Sequence, residues 1–227
     1  MTEPAADRAR KQMFALWGAD LDQRLCDRRL HAALSERGAS RLQVNVDDDR
    51  VGAGALRLAT FDPAIAALVS VWTPAGGDGV ADLLGAVADR VVGWDVEERR
   101  PLEPPRVPDG ERADALANVA LLRRPEELTR EEWLHRWLVD HTPVAIQTQA
   151  TFGYLQNVVT GPATPDAPRV AALVKELGTT LEQFIPAAIA DDLFAREAED
   201  VPVELLMTLK YVTEASPSFS LRGGTRD

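Results

Sequence analysis

Residues 121–159, LLRRPEELTREEWLHRWLVDHTPVAIQTQATFGYLQNVV, bring an imidazole, a phenol and several amides close together along the chain. Leu134, Trp137, Leu138 and His141 stand three to four apart and so share one face of a helix. The apolar members of that face predict that it turns inward and carries His141 with it. Pro143 lacks an N–H, frees a carbonyl one turn back and predicts an irregular helix at that point. A buried imidazole has its charged form disfavoured and suits proton transfer as a neutral base. The alternative is a core histidine hydrogen-bonded to backbone.

The next residues are polar for a core-facing stretch: Gln147, Thr148, Gln149, Thr151, Tyr154, Gln156 and Asn157. Strand alternation puts Phe152, Tyr154 and Gln156 on one face and Leu155 and Asn157 on the other. The expected catalytic pair is His141 and Tyr154. Trp137, Gln149, Gln156 and Asn157 are expected to hold a carbonyl- or hydroxyl-bearing molecule. The alternative for the amides is that they tie down backbone at a helix–strand connection.

Other candidates read as structural. His135 lies well round the helix from His141 and is expected in solvent. Asp47, Asp48 and Asp49 lack the spaced loop ligands of a cation site. The Gly-Ala-Gly at 52–54 lacks the third glycine and the context of a dinucleotide loop. There are no Walker glycines, no His-Glu-x-x-His and no Cys-x-x-Cys, so no metal and no cofactor are expected. Trp17, Trp72 and Trp94 fall on predicted strands and are expected in the core. Cys26 reads as a small buried residue.

The elements that must position these residues come in the same order twice, about the proline-rich stretch PLEPPRVPDG at 101–110. In the first half, strands are predicted at 11–17, 41–46, 65–72 and 92–96. One helix is predicted from the N-cap Asp20 to Arg37, and a second over 80–91. In the second half, strands are predicted at 115–122, 152–159 and 170–177. A helix follows the capping box Thr129-x-x-Glu132, and helical periodicity returns at 184–194 and 203–212. Residues 178–202 fit the repeat less well. Two βαββαβ units make this an α+β chain, with a degenerate repeat over 1–104, a linker over 105–114 and a second repeat over 115–227. Each unit has one bare sheet face. The two sheets are expected to pack face to face, closing a barrel within one molecule.

The segment REEWLHRWLVDHTPVA followed by YLQN resembles the EthD domain, named for a protein of ethyl tert-butyl ether degradation. Trp137, His141, Pro143, Tyr154, Gln156 and Asn157 occupy its motif positions, and RLQVNVDDDRV, VSVWTP and GWDVEERRPL resemble the degenerate half of two-repeat members. The resemblance implies a ferredoxin-like dimeric α/β barrel and an oxidoreductase or lyase acting on a small apolar or aromatic molecule. Many members continue the strand as Gln-Asn-His, whereas Val158 stands here, so a two-histidine relay is not available. His31 is a candidate for the worn counterpart of His141. The alternatives are a non-catalytic binding or scaffold member, and a haem-binding barrel.

The 227 residues are 45% hydrophobic and 27% charged, as in an ordinary globular chain, with a net charge of −11 that argues against nucleic acid. Only three of the 25 basic residues are lysines: Lys11, Lys175 and Lys210. No apolar run approaches the roughly 20 residues of a membrane helix, so no membrane partner is expected. The first residues lack an apolar signal core, and one cysteine argues for a reducing compartment, so a cytoplasmic protein is expected. The expected partners are a small organic ligand and a homodimeric copy.

Overall fold

Along β1 (Arg10–Trp17), Phe14 and Leu16 face one way, Met13, Ala15 and Trp17 the other, and all five are buried. A strand buried on both faces lies between two layers. A computed structural model of the chain describes residues 9–47, 63–74, 78–112, 115–148, 151–178, 210–214 and 218–220.

The first half continues through α1 (Leu21–Arg24), α2 (Arg28–Glu36), β2 (Arg41–Val46), β3 (Ala67–Thr73), α3 (Val80–Gly85) and β4 (Arg90–Leu102). The second runs β5 (Leu116–Leu122), α4 (Arg130–His135), a π-helical turn (Arg136–His141), α5 (Thr142–Thr148), β6 (Gly153–Pro162), β7 (Ala172–Gly178) and β8 (Lys210–Glu214). A short β9 (Ser218–Ser220) follows. All neighbours are antiparallel, in the order β8-β5-β7-β6-β4-β1-β3-β2-β9. Each half thus has its fourth, first, third and second strands side by side.

The halves are not two separate sheets. β4 pairs with β6, joining them edge to edge into one curled sheet. At the other seam β8 comes alongside β2, and β9 pairs with β2 only four residues beyond the end of β8. Four residues reach at most about 14 Å, so the chain itself draws the two ends of the sheet together.

Three apolar clusters follow from strand alternation. Leu25, Leu30, Leu34 and Leu84 cover the outer face of the first half, around Phe14 and Val69. Trp133, Trp137 and Ala145 cover the outer face of the second, around Tyr154 and Val174. The interior, or lumen, holds Met13, Trp17, Leu68 and Trp94 from one half against Val119, Leu121 and Leu173 from the other. Trp17 and Trp94 are core residues as expected, while Trp72 is half-buried.

Several local expectations are corrected. The helix predicted from Asp20 to Arg37 breaks in two. Asp20 adopts φ 55° without capping through its side chain, and Asp27 accepts from the Arg29 N–H to start α2. Cys26 stands at that break and is exposed, not buried. The helix predicted over 80–91 stops at Gly85, because the chain enters β4 at Arg90. That strand continues past Val96 into the proline stretch, where a register irregularity between Arg99 and Leu102 accommodates Pro101. Of the helix predicted at 203–212, the described residues 210–212 belong to a strand, because β8 supplies the fourth strand of the second half. The one predicted at 184–194 lies outside the described residues. Among the described residues, no helix is long and apolar enough to cross a membrane.

Gly93 on β4 lies opposite Phe14, and a Cβ there would stand 2.3 Å from the Phe14 ring. Gly93→Ala must displace a fully buried aromatic, so a loss of about 1–3 kcal/mol in urea unfolding is expected. An unchanged midpoint would mean that the ring moves freely.

Candidate functional site

The helix 130–148 starts where the sequence places it. The Thr129 side chain accepts from the Glu132 N–H, and the Glu132 carboxylate accepts from the Thr129 N–H. Trp133 and Trp137 then stack one turn apart, ring centroids 5.2 Å apart, facing the sheet. Beyond Trp137 the helix widens into the π turn that precedes Pro143. A π turn inserts one residue, so the inward position after Trp137 falls at Thr142 instead of His141. Thr142 and Ala145 are buried, while His141 is exposed. The inward orientation expected of His141 is therefore corrected, although nearby atoms desolvate its ring enough to lower its pKa.

Thr142 occupies the place expected of the histidine. Its hydroxyl donates to the Trp137 carbonyl at 3.0 Å and accepts from Gln156 Nε2 at 2.8 Å. Gln156 is fully buried, and its Oε1 has no hydrogen-bond partner among the described residues. Tyr154 is buried beside Trp137 in the same cluster. Val158 packs there too, where the family pattern has histidine. Asn157 points through the other face of β6 into the lumen, so the expected site residues do not converge on one place. Gln149 lies outside the described residues. His135 is exposed as expected, and His31 sits in the first turn of α2, where its Nε2 donates to the Leu25 carbonyl at 2.8 Å.

The convergence lies in the lumen. Asn157 donates through Nδ2 to the Leu173 carbonyl at 3.0 Å and accepts Lys11 Nζ on Oδ1 at 2.7 Å. Asn45, on the corresponding second strand of the first half, donates to the Leu68 carbonyl at 3.3 Å and accepts Lys175 Nζ at 2.9 Å. Each asparagine is in register with the leucine it bonds, and each receives a lysine from the opposite half. The two repeats thus brace one another reciprocally across the barrel.

The two lysines differ. Lys11 is ion-paired with Glu98 and lies 4.8 Å from the Trp72 ring centroid. Lys175 has no ion pair among the described residues, only the Asn45 amide. Burial lowers the Lys11 pKa to about 8 against the opposing pull of Glu98. Burial, then the Lys11 and Arg41 charges, lowers that of Lys175 to about 7. Burial pushes the Glu98 carboxyl up, but Lys11 and Arg100 together outweigh it and hold it below the usual carboxylate range. Arg100, bonded to Glu98 at 2.5 Å, and Arg41, 4.5 Å from the Trp72 ring centroid, lie where the lumen meets solvent. Among the described residues no group of His, Cys, Asp and Glu is arranged to hold a metal.

Sequence reasoning missed Lys11, Lys175, Asn45 and Glu98. The signal was available in part: Lys175 interrupts the apolar run AALVKELG, and two of only three lysines fall on predicted strands or their starts.

A solved structure described as an anthrone oxidase-like protein is similar over 97% of each chain, with a TM-score of 0.53 and 8% sequence identity. The fold is a single-chain dimeric α/β barrel. A candidate monooxygenase of Fusobacterium nucleatum subsp. nucleatum aligns over 96% of this chain and 99% of its own at TM-score 0.44 and 7% identity. No protein-family model matches the sequence, and no curated protein matches it.

Two predictions follow from these geometries. Thr142→Val leaves the Gln156 amide without its acceptor and removes the hydroxyl's bond to the Trp137 carbonyl, so a loss of about 1–3 kcal/mol in urea unfolding is expected. A neutral result would show that the π turn does not need the hydroxyl. Lys175 holds its proton less tightly when folded (about 7) than an unfolded lysine does (about 10.4), so the unfolded chain binds more protons between those values. Its contribution to stability therefore rises with pH across that window. Lys175→Met removes this rise, and the stability difference should shift toward the wild type from pH 7 to 10; a pH-independent difference would contradict the lowered pKa.

Proposed function

We propose that this chain binds a small organic molecule, apolar over most of its surface and bearing a carbonyl or hydroxyl oxygen, inside the barrel, and acts on it. The observation that carries this reading is the pairing of an apolar lumen, lined by Met13, Leu68, Trp94 and Leu173, with the buried amines of Lys11 and Lys175. The apolar wall takes the hydrocarbon part of the ligand and the polar end fixes its orientation. The Lys11 ammonium, held by Glu98 and Asn157, is placed to donate to the ligand oxygen. A cation in a desolvated site stabilises the negative charge that develops on a carbonyl oxygen when a neighbouring proton is removed.

The EthD-like residues Trp137, Pro143, Tyr154, Gln156 and Asn157 support kinship with that family and an oxidoreductase or lyase role. Of these, Asn157 alone is on the lumen side, and the others shape the outer helix layer. His141 belongs to that outer surface, so proton transfer from it to a lumen ligand is not part of the proposal. The haem reading has no support from the residues. His31, His135 and His141 are the only histidines, and none is on a lumen face, so a lumen haem would have no imidazole ligand. A non-catalytic binding protein would use the same lumen.

Anthrone, the compound class in the neighbour's description, is the first probe, with 2-naphthol as a second. Titration should quench the tryptophan fluorescence, since Trp94 lies in the lumen. Lys11→Met is expected to weaken binding about tenfold, the loss of one charged hydrogen bond, whereas His141→Gln should leave it within about twofold. Binding lost in His141→Gln but kept in a folded Lys11→Met protein would move the site to the outer helix and refute the lumen.

A further inference from the structure

We propose that Lys175 is a nucleophilic amine that condenses with an aldehyde or ketone in the barrel to form an imine. The proposal rests on the lumen reading above and names the substrate class and the bond formed. Lys175 is 3% exposed and stands among lumen residues, two positions beyond Leu173 on β7. Its amine is held at 2.9 Å by the neutral Asn45 amide and by no carboxylate among the described residues. The charged groups acting on it are Lys11 on β1, Arg41 on β2, and Glu98 and Arg100 on β4; three of the four are cations. An amine kept from water, lacking a counter-ion and facing positive charge keeps its lone pair, the condition for attack on a carbonyl carbon. The hydrogen bond to Asn45 fixes one N–H and leaves the lone pair two directions, both away from that amide. Lys11 does not share this condition, because Glu98 neutralises it in an ion pair.

The two amines then have complementary roles. With the carbonyl oxygen on the Lys11 ammonium, Lys175 Nζ bonds to the carbonyl carbon as the C=O π pair moves to oxygen. Both hydrogens of the attacking amine leave with that oxygen as water, Lys11 relaying one of them. The product is a C=N bond, and no oxidant or reductant is consumed. Protonated, that imine withdraws electrons from the adjacent C–H, which a simple carbonyl does less well.

The full chain is incubated at pH 7 with 2-naphthaldehyde and cyanoborohydride, which reduces C=N to a stable secondary amine, and the adduct is located by peptide mass mapping. Peptide mapping separates the three lysines from one another and from the α-amine, which is partly unprotonated at this pH. In parallel, 2-naphthalenemethanol, which has no carbonyl, is titrated by tryptophan fluorescence. The expected result is an adduct at Lys175 forming at least about tenfold faster than on free Nα-acetyl-lysine, whose amine is almost wholly protonated at this pH. Lys175→Arg, which keeps a donor to Asn45, should lose the adduct while still unfolding cooperatively in urea. If the alcohol binds and Lys175 stays unmodified, or the label spreads evenly over Lys11, Lys175 and Lys210, the imine is overturned and the lumen reading survives. If neither compound binds, both fall.

Discussion

The barrel turns on a reciprocal exchange of hydrogen bonds in its interior. Asn45 and Asn157 occupy equivalent places in the two repeats, each anchored to a leucine carbonyl on its own third strand, and each accepts a lysine from the other half. Burying an ammonium costs several kcal/mol unless it is hydrogen-bonded, and each lysine gains its asparagine partner only when the opposite half is in place. Apolar contact across the interior is non-directional and would tolerate changes in the curl of the sheet. The asparagine–lysine bonds make one relative placement of the halves better than its neighbours. The asymmetry of the device is as telling as its symmetry. The acceptors are related by the repeat, the donors come from β1 in one half and β7 in the other, and Glu98 neutralises only one of them.

That constraint works because the sheet is continuous. Pairing of β4 with β6 fixes Glu98 opposite Asn157, so the counter-ion of Lys11 and the amide that binds it arrive together on adjacent strands. The extension of β4 beyond Val96 is what brings Glu98 and Arg100 into the sheet. A strand ending where the alternation of apolar residues ends would leave the mouth of the lumen without its charges.

On the outer side of the second half, the helix layer is set by a one-residue insertion. The π turn carries Thr142 to the sheet and His141 to the surface, and the Thr142 hydroxyl joins Gln156 to the carbonyl of Trp137. The motif residues that resemble EthD are thereby divided between two environments. Tyr154 and Gln156 support the helix, and Asn157, the next residue on the strand, serves the lumen.

The sequence alone indicated the repeated order of elements, since strand alternation and the capping box at Thr129 are local signals that tertiary contacts did not override, whereas the proline stretch is drawn into β4 and the fourth strand of the second half carries a helix-like pattern. It also placed Tyr154 and Gln156 on one face and Asn157 on the other, because a strand's period of two leaves no freedom. It marked Pro143 as a site of helix irregularity. The direction of His141 was beyond it, because a regular 3.6-residue count cannot register an inserted residue whose stability depends on Gln156 across the layer. Nor could it see Lys11 and Lys175 as a pair. They are 164 positions apart, and only the edge-to-edge junction and the closure at β2 put both amines into one interior with the asparagines that hold them. Local periodicity decides which face a residue is on; which residues share that face across two repeats is decided by how the strands join.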